Sequence, residues 1–245
     1  MERERFYRRV VGKLLDRELL RREMSVVVVG GGELDRLVLA DYVFGDVTLS
    51  NLDPAQGRVE DAEALSYPDG SFDFGIVSAA LHHCRSPHRA LLELYRVSRI
   101  GMLALEARDS ALMRLANRLG VAEEYELTVV AAQDFRTGGV RNSAVPNYVF
   151  RWTEREVEKT IRSAAPERRH RFLWFRELEL PVSILEASGK RAWRHAQWPL
   201  GALVKVFPSQ ANLFAFVVLK EELQPWMTTE SEPDAAEIRR RLGAG

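Results

Sequence analysis

VVVVGGGELD, residues 26–35, joins four β-branched apolar residues directly to three glycines and a polar segment. An apolar run without alternation is typical of a strand that is buried on both faces of a parallel sheet. The glycines permit a sharp turn, and the ELD segment at 33–35 is suited to start a helix. Such a strand-turn-helix unit presents backbone N–H groups to a ligand, although the same turn also serves plain chain reversal.

The composition is that of an ordinary globular protein of 245 residues, long enough for one large domain. Thirty-five basic residues balance thirty-five acidic ones, so the overall charge gives no argument for nucleic acid or an anionic membrane. Cys84 is the single cysteine, which excludes a disulfide framework and a multi-thiolate zinc site. No window reaches the length of a membrane span, and we expect a soluble cytoplasmic protein.

Strand and helix signals alternate along the first part of the chain. Strand candidates are residues 26–29, 46–52, 73–78 and 101–105, and helix candidates are residues 2–23, 33–43 and 87–99. Alternation of this kind indicates right-handed βαβ crossovers and a largely parallel sheet.

Beyond residue 109 the periodic pattern weakens. Residues 110–119 fit a helix, whereas 120–148 contain turn signals without a sustained period and are predicted to be an insertion over one edge of the sheet. Thr153 and Glu156 form a capping-box pattern at the start of a further helix. Late strand candidates follow at 171–180 and 212–219.

Three segments together carry a resemblance to a known family. They are VTLSNLDP (47–54), VEDAEALSYPDGSFDFGIVSAALHH (59–83) and RALLELYRVSRIGMLALEARDS (89–110). In this order they resemble class I S-adenosylmethionine-dependent methyltransferases, in particular the small-molecule, type 11-like group with a DAExLPFPDxSFDxVxSxxxLHH signature. The resemblance covers residues 25–109. It implies an α/β, Rossmann-like fold whose seven-stranded, mostly parallel sheet is flanked by helices, with a lid insertion after the fifth strand.

The resemblance also implies S-adenosylmethionine as the cofactor and S-adenosylhomocysteine as the product. The glycine turn would approach the methionine part, Asn51 the ribose hydroxyls, and Asp61 the adenine amino group. The implied cofactor-binding residues are Gly30, Gly31, Gly32, Asn51, Leu52, Asp61, Ala62, Ser78 and Ala79.

Three positions depart from the family pattern. Val28 stands where an acid is common before the first glycine, Leu34 where a third glycine usually falls, and Asn51 where an acid usually meets the ribose. A neutral amide makes a weaker contact with a ribose diol than a carboxylate does. Only a short loop fits between Asp53 and Val59, where the family normally has a helix.

Methyl transfer from a sulfonium is an in-line displacement that requires a positioned nucleophile and the exclusion of water. An oxygen nucleophile also needs a base, and His82 and His83 lie near the expected position of the methyl group. Either histidine could instead be structural. We expect no metal at this pair, because adjacent histidines on an extended segment diverge and no carboxylate accompanies them at ligand spacing.

Substrate-binding candidates follow the fifth strand and lie in the insertion. Glu106 and Arg108 lie where substrate groups enter such a site, although this segment could equally be a helix cap with a surface ion pair. Arg141, Tyr148 and Trp152 combine hydrogen-bond donors with aromatic surface, as a lid over a polar, anionic or sugar-like molecule would. A lid that only covers the sheet edge would need some of the same aromatic residues.

The Trp-rich basic segment 190–207 either packs as a helix between the last two strands, which we favour, or meets a membrane surface.

The sequence thus predicts one methyltransferase domain over 1–245. Its parts are an N-terminal helix (1–24), a cofactor-binding core (25–109), a lid insertion (110–152), the C-terminal part of the sheet (153–222) and a tail (223–245). The predicted activity is methyl transfer to a small-molecule acceptor at oxygen, by a monomer or homodimer without nucleic acid and without stable membrane insertion. The alternative is a non-catalytic binding or scaffolding protein with the same fold.

Overall fold

The computed structural model of the chain describes residues 2–179 and 197–243. Seven strands are seen there: β1 (Ser25–Val29), β2 (Asp46–Asn51), β3 (Arg58–Val59), β4 (Phe72–Ser78), β5 (Ser98–Ala107), β6 (Arg168–Glu177) and β7 (Leu213–Leu223). They form one sheet in the order β3-β2-β1-β4-β5-β7-β6. Strands β1 to β5 pair in parallel, and β7 runs antiparallel between β5 and β6. The predicted seven-stranded, mostly parallel sheet is therefore confirmed.

Helices connect and cover these strands. They are α1 (Glu2–Asp16), α2 (Glu33–Ala40), α3 (Pro87–Val97), α4 (Ala111–Arg118), α5 (Leu127–Ala132), α6 (Glu154–Ala164), α7 (Gln197–Val206) and α8 (Ala235–Arg241), with 3₁₀ turns at Leu81–His83, Val140–Asn142 and Pro208–Gln210. Only a short loop joins β2 to β3, as the sequence predicts.

Local capping signals explain where several helices begin. The Ser110 hydroxyl accepts the Met113 amide at 3.2 Å at the start of α4. The Thr153 hydroxyl likewise accepts the Glu156 amide at 3.2 Å at the start of α6. The reciprocal half of the predicted capping box differs, because the Glu156 carboxylate lies 3.0 Å from His88 Nε2 instead.

The apolar run of β1 divides between two cores on opposite faces of the sheet. Val26 and Val28 belong to the core that α1 covers, whereas Val27 and Val29 belong to the core beneath α3 and α6. All four are almost completely buried. Since full burial of a valine side chain stabilises a fold by roughly 1.5–3 kcal/mol, this short strand anchors both layers.

Three sequence expectations about helices need correction. The first helix ends at Asp16 rather than near residue 23, and α2 ends at Ala40, before the exposed Val43. In α7 and just after it, Trp198 is 83% exposed and Phe207 is 56% exposed, so the expected packing between strands is wrong for these two side chains. Residues 190–196 of that segment lie outside the described residues. Within the described ranges, no helix has both the length and the apolar character needed to cross a bilayer.

Candidate active site

A cavity of about 300 Å³ lies at the carboxyl ends of β1, β2 and β4. Parallel strands bring these ends to one edge, where ligands of open α/β sheets bind. Of the implied cofactor-binding residues, six line the cavity: Gly30, Asn51, Leu52, Asp61, Ala62 and Ala79. Gly31, Gly32 and Ser78 do not line it, so their part is to shape the loops around it.

The glycine turn closes tightly against the loop after β4. Gly30 has a φ of +66°, and a Cβ at this position would collide with Ala80. The buried Asp35 carboxylate then accepts the Gly32 amide at 2.9 Å and the Tyr7 hydroxyl at 3.1 Å. Burial raises the pKa of Asp35, and its hydrogen bonds oppose this effect. Only glycine suits position 30, which leaves a concave backbone surface toward the cavity.

Asn51 is largely engaged by the protein itself. Its Nδ2 donates to the Gly31 carbonyl at 2.8 Å, and its Oδ1 accepts the Asp53 amide at 3.0 Å. One amide hydrogen and one lone pair remain for a ligand. Asp53 also lines the cavity and supplies a carboxylate close to the implied ribose position. The sequence analysis did not predict Asp53. Its position two residues after the end of β2 could have indicated it, because an acid there lies close to the implied ribose.

The insertion reaches over this cavity and contacts the implied adenine residue. Arg141 Nη2 lies 2.7 Å from Asp61 Oδ2, and Arg141 Nη1 lies 3.7 Å from Glu63. Arg141 and Asn142 both have left-handed backbone conformations, with φ of 52° and 57°. Such conformations are unfavourable for non-glycine residues and persist where the surroundings determine them. Arg141 therefore faces the cofactor cavity, where we had expected it to contact the substrate.

The 3₁₀ turn after β4 places two histidines beside two carboxylates. His82 Nδ1 lies 2.7 Å from Glu106 Oε2, and the other Glu106 oxygen accepts the amides of Ala80 and Leu81 at 3.0 and 2.8 Å. The insertion adds Glu126. We call His82, His83 and Glu126 the histidine–glutamate cluster.

Burial and charge set the protonation of this cluster. Burial alone would lower the pKa of His82, but Glu106 and Glu126 outweigh it and raise the pKa to about 9. Burial and the neighbouring His82 lower the pKa of His83. Burial would raise the pKa of Glu126, but the two histidines bring it to about 2. At neutral pH the cluster thus holds a charged His82, a neutral His83 and an ionised Glu126.

The reason for expecting no metal at the histidine pair proves wrong. The two rings do not diverge, since their centroids are 4.5 Å apart. A carboxylate does accompany them, because Glu126 belongs to the insertion and arrives through the fold rather than through sequence spacing.

A second cavity of about 340 Å³ lies on the other side of the same turn, and Cys84 lines both cavities. His83 faces the first cavity, whereas His82 faces the second. The rest of the second cavity is mainly apolar, with Pro87, Val140, Val145, Tyr148, Phe150 and Arg85. Burial and nearby acidic groups raise the pKa of the Cys84 thiol to about 12, so the thiol is not a nucleophile at neutral pH.

The predicted substrate-binding residues lie in different parts of the structure. Tyr148 lines the second cavity. Arg108 is buried in an ion pair with Glu154 at 2.6 Å, and Trp152 is fully buried in the core. Glu106 is also buried, and it holds the turn and His82. The expected substrate contacts of Arg108, Trp152 and Glu106 are therefore corrected to structural or positioning roles.

The strand order, the glycine turn and the cavity at the sheet edge define the class I S-adenosylmethionine-dependent methyltransferase fold. Residues 26–105 match a family model described as a methyltransferase domain, which confirms the resemblance found in the sequence. The fold of the chain is thus that of this class, and residues 26–105 are similar to the methyltransferase domain family. No curated protein matches the chain by sequence.

Two solved structures show the same fold. The YcgJ protein from Bacillus subtilis is 16% identical with a TM-score of 0.51, and the match covers 86% of this chain and 97% of that one. Magnesium protoporphyrin IX methyltransferase (ChlM) from Synechocystis PCC 6803, solved with bound S-adenosylhomocysteine, is 10% identical with a TM-score of 0.50. That match covers 88% of this chain and 84% of the other. At these identities the likeness concerns the fold alone.

Proposed function

We propose that the protein transfers a methyl group from S-adenosylmethionine to a hydroxyl oxygen of a small cytoplasmic molecule. One observation carries the proposal: of the two adjacent histidines on the turn after β4, His83 lines the first cavity and His82 lines a second, mainly apolar cavity. A methyl donor on one side and an acceptor on the other would meet at this turn. The single free cysteine agrees with a reducing compartment.

The first cavity fits the cofactor in shape, because the Gly30 turn leaves room where any side chain would intrude. Asp53 and the remaining amide hydrogen and lone pair of Asn51 would bind the ribose hydroxyls. Asp61 and Ala62 would contact the adenine. When bound, the cofactor would supply the methyl group from its sulfonium sulfur. The sulfur is then left as the neutral thioether of S-adenosylhomocysteine. The charge of the sulfonium is thereby lost, so the reaction needs a desolvated, well-aligned site.

The proposed catalytic residues of the chain are His82 and His83. The acceptor oxygen gains the methyl carbon, and its hydroxyl proton passes to His83, the imidazole of the cluster that is neutral at neutral pH. Glu106 acts as a positioning residue, because it fixes the His82 ring and the backbone of the turn. The apolar wall formed by Pro87, Val145 and Phe150 favours an acceptor with an apolar body and excludes water.

The test of the proposal begins with calorimetric titration of the purified protein with S-adenosylmethionine and S-adenosylhomocysteine. We expect micromolar binding of both, and Asp61→Ala should weaken it about tenfold through loss of a charged hydrogen-bond acceptor. Asp69→Ala is the matched control, because this exposed acid pairs with Arg96 away from the cavity. Equal affinities of Asp61→Ala and the wild type would remove Asp61 from the site.

A rate measurement then tests the catalytic residues. Release of S-adenosylhomocysteine is followed with a panel of hydroxylated small molecules, for the wild type and for His83→Ala. We expect His83→Ala to lower kcat by about a hundredfold or more with little change in cofactor affinity. An unchanged rate would leave His83 with a structural role only.

A non-catalytic binding protein is the second candidate. It is favoured by one observation, namely that Asn51 and Asp61, both implied to bind adenosine, already bond Gly31 and Arg141 of the same chain. In that case neither cofactor form would bind at millimolar concentration, which the same titration decides.

A further inference from the structure

Three atoms of the histidine–glutamate cluster converge in the arrangement of metal ligands. One ring nitrogen each of His82 and His83 and a carboxylate oxygen of Glu126 all lie within 4.8 Å of one another. His82 Nε2 is 3.5 Å from Glu126 Oε1, and His83 Nε2 is 3.6 Å from Glu126 Oε2. These separations are longer than hydrogen bonds. Each runs to a different oxygen of Glu126, and each is close to the roughly 3.4 Å between neighbouring ligands of a tetrahedral cation with bonds of about 2.1 Å.

The groups behind the three candidate ligands are those that orient ligands in metalloproteins. Glu106 lies 2.7 Å from His82 Nδ1, so the nitrogen that points away from the cluster is fixed by a carboxylate. The backbone of Gly139, which lines the same cavity as His83, acts to raise the pKa of the His83 ring. The Glu126 amide donates to the Asn147 carbonyl at 3.0 Å, which holds Glu126 in place. Carboxylate or carbonyl partners of this kind fix the ring orientation and tautomer of ligating histidines.

One atom of the cluster is left without a partner. Glu126 Oε2 is buried and has no hydrogen-bond partner among residues 2–179 and 197–243. Burial of a carboxylate oxygen that makes no hydrogen bond is costly, although the nearby histidines stabilise the charge of Glu126 as a whole. A cation between the three side chains would bond this oxygen and both imidazole nitrogens at once.

We propose that His82, His83 and Glu126 bind a divalent transition-metal cation such as Zn²⁺. Two imidazoles with one carboxylate favour zinc, iron and their neighbours over Mg²⁺ and Ca²⁺, which prefer sites made entirely of oxygen ligands. Three protein ligands leave at least one coordination position open, as catalytic sites do. His83 lines the first cavity and His82 the second, so both imidazoles border space that a small molecule could enter.

Binding of the cation does not depend on the proposed function, but its consequence does. A bound divalent cation lowers the pKa of a hydroxyl that it coordinates. In the metal-bound state both imidazoles are ligands rather than bases, so the acceptor hydroxyl would be activated by coordination and release its proton to water. The cation would also tie the insertion, through Glu126, to the turn after β4.

The binding experiment uses the full chain after chelator treatment and dialysis. ZnCl₂ is titrated calorimetrically, and CoCl₂ is added in parallel because its visible spectrum reports tetrahedral nitrogen and oxygen ligation. We expect one equivalent to bind to the wild type. Glu126→Gln and His83→Asn should each weaken binding by tenfold or more, since each removes a ligand while keeping a side chain of similar size.

His88→Asn is the matched control, because His88 also lies beside a glutamate, with 3.0 Å to Glu156, but belongs to no three-ligand group within residues 2–179 and 197–243. Circular dichroism and thermal unfolding establish that each variant is folded. Absence of stoichiometric binding to the wild type would overturn the proposal, as would wild-type affinity in Glu126→Gln or an equal loss in His88→Asn. Titration of S-adenosylhomocysteine with chelator present remains a separate result, so failure of the metal site and failure of the proposed function are distinguishable.

Discussion

Two buried carboxylates hold the two loops that meet beside the first cavity. Asp35 accepts the Gly32 amide at 2.9 Å and thereby fixes the loop after β1. Glu106 accepts the amides of Ala80 and Leu81 at 3.0 and 2.8 Å and fixes the loop after β4. Both loops thus use the same physical device, in which a carboxylate satisfies backbone donors that would otherwise lack partners.

The two carboxylates differ in how far along the chain they lie from the amides that they accept. Asp35 is three residues from Gly32, within the first turn of α2. Glu106 lies on β5, 25 residues from Leu81. The first loop is therefore specified by its own sequence, whereas the second depends on assembly of the sheet. We expect substitutions to disturb the first loop locally and to disturb the second through contacts that span the site.

The largest effect is expected at the local loop, from Gly30→Val. The positive φ and the collision with Ala80 should lower the free energy of unfolding by about 3 kcal/mol and abolish binding of S-adenosylhomocysteine. Gly32→Ala is the matched control, because a Cβ there has no neighbour within 4 Å in the described part of the chain, and its φ of −139° suits any residue. Denaturant unfolding and calorimetry measure both effects. Similar losses in the two variants would contradict a requirement specific to position 30.

Glu106→Gln tests the long-range loop and should have the next largest effect. The amide keeps one oxygen for the backbone donors but loses the charge that faces His82, so we expect a loss of about 2 kcal/mol in the free energy of unfolding. Because His82 would then lose its orientation, Zn²⁺ affinity should also fall by tenfold or more. Unfolding at neutral pH and zinc titration are the measurements. A loss of stability without any change in zinc affinity would show that Glu106 does not orient His82 for metal binding.

These two loops also show how far the sequence leads. The apolar run, the glycine turn and the family signature predict the sheet and most of the cofactor cavity, because those signals are contiguous. Nothing near His83 in the sequence indicates Glu126, which arrives from an insertion without periodicity. Trp152 was misjudged for a related reason, since an aromatic residue in a loop shows its chemistry but not whether the fold buries it.

A smaller effect should come from Tyr7→Phe, which removes the hydroxyl that N-terminal helix α1 donates to Asp35 at 3.1 Å. We expect a loss of about 1 kcal/mol in the free energy of unfolding near neutral pH, where Asp35 most needs the donor.

The pH dependence of stability tests whether Asp35 stabilises the fold more in its protonated or in its ionised form. Burial raises the pKa of Asp35 in the folded state above its unfolded value of 3.8, so the folded protein binds more protons between those two values. The stability advantage of wild type over Asp35→Asn should therefore be greatest below pH 3.8 and decline as the pH rises through the folded-state pKa. Urea unfolding of the two proteins across this range measures the difference. An advantage that grows with pH would show that hydrogen bonds, rather than burial, dominate at Asp35.

The smallest effect is expected from Arg141→Ala, which tests whether the insertion competes with the cofactor. Arg141 pairs with Asp61 at 2.7 Å across the opening of the cavity, and both side chains are partly exposed. A pair of this exposure contributes at most about 1 kcal/mol, so its removal should tighten binding of S-adenosylhomocysteine by about two- to fivefold. Arg114→Ala removes a comparable pair with Asp109, at 2.6 Å and outside the cofactor cavity, and should leave the affinity unchanged. If Arg141→Ala instead weakens binding, Arg141 is itself a cofactor ligand, and the cavity depends on a long-range contact from the insertion, as the loop after β4 depends on Glu106.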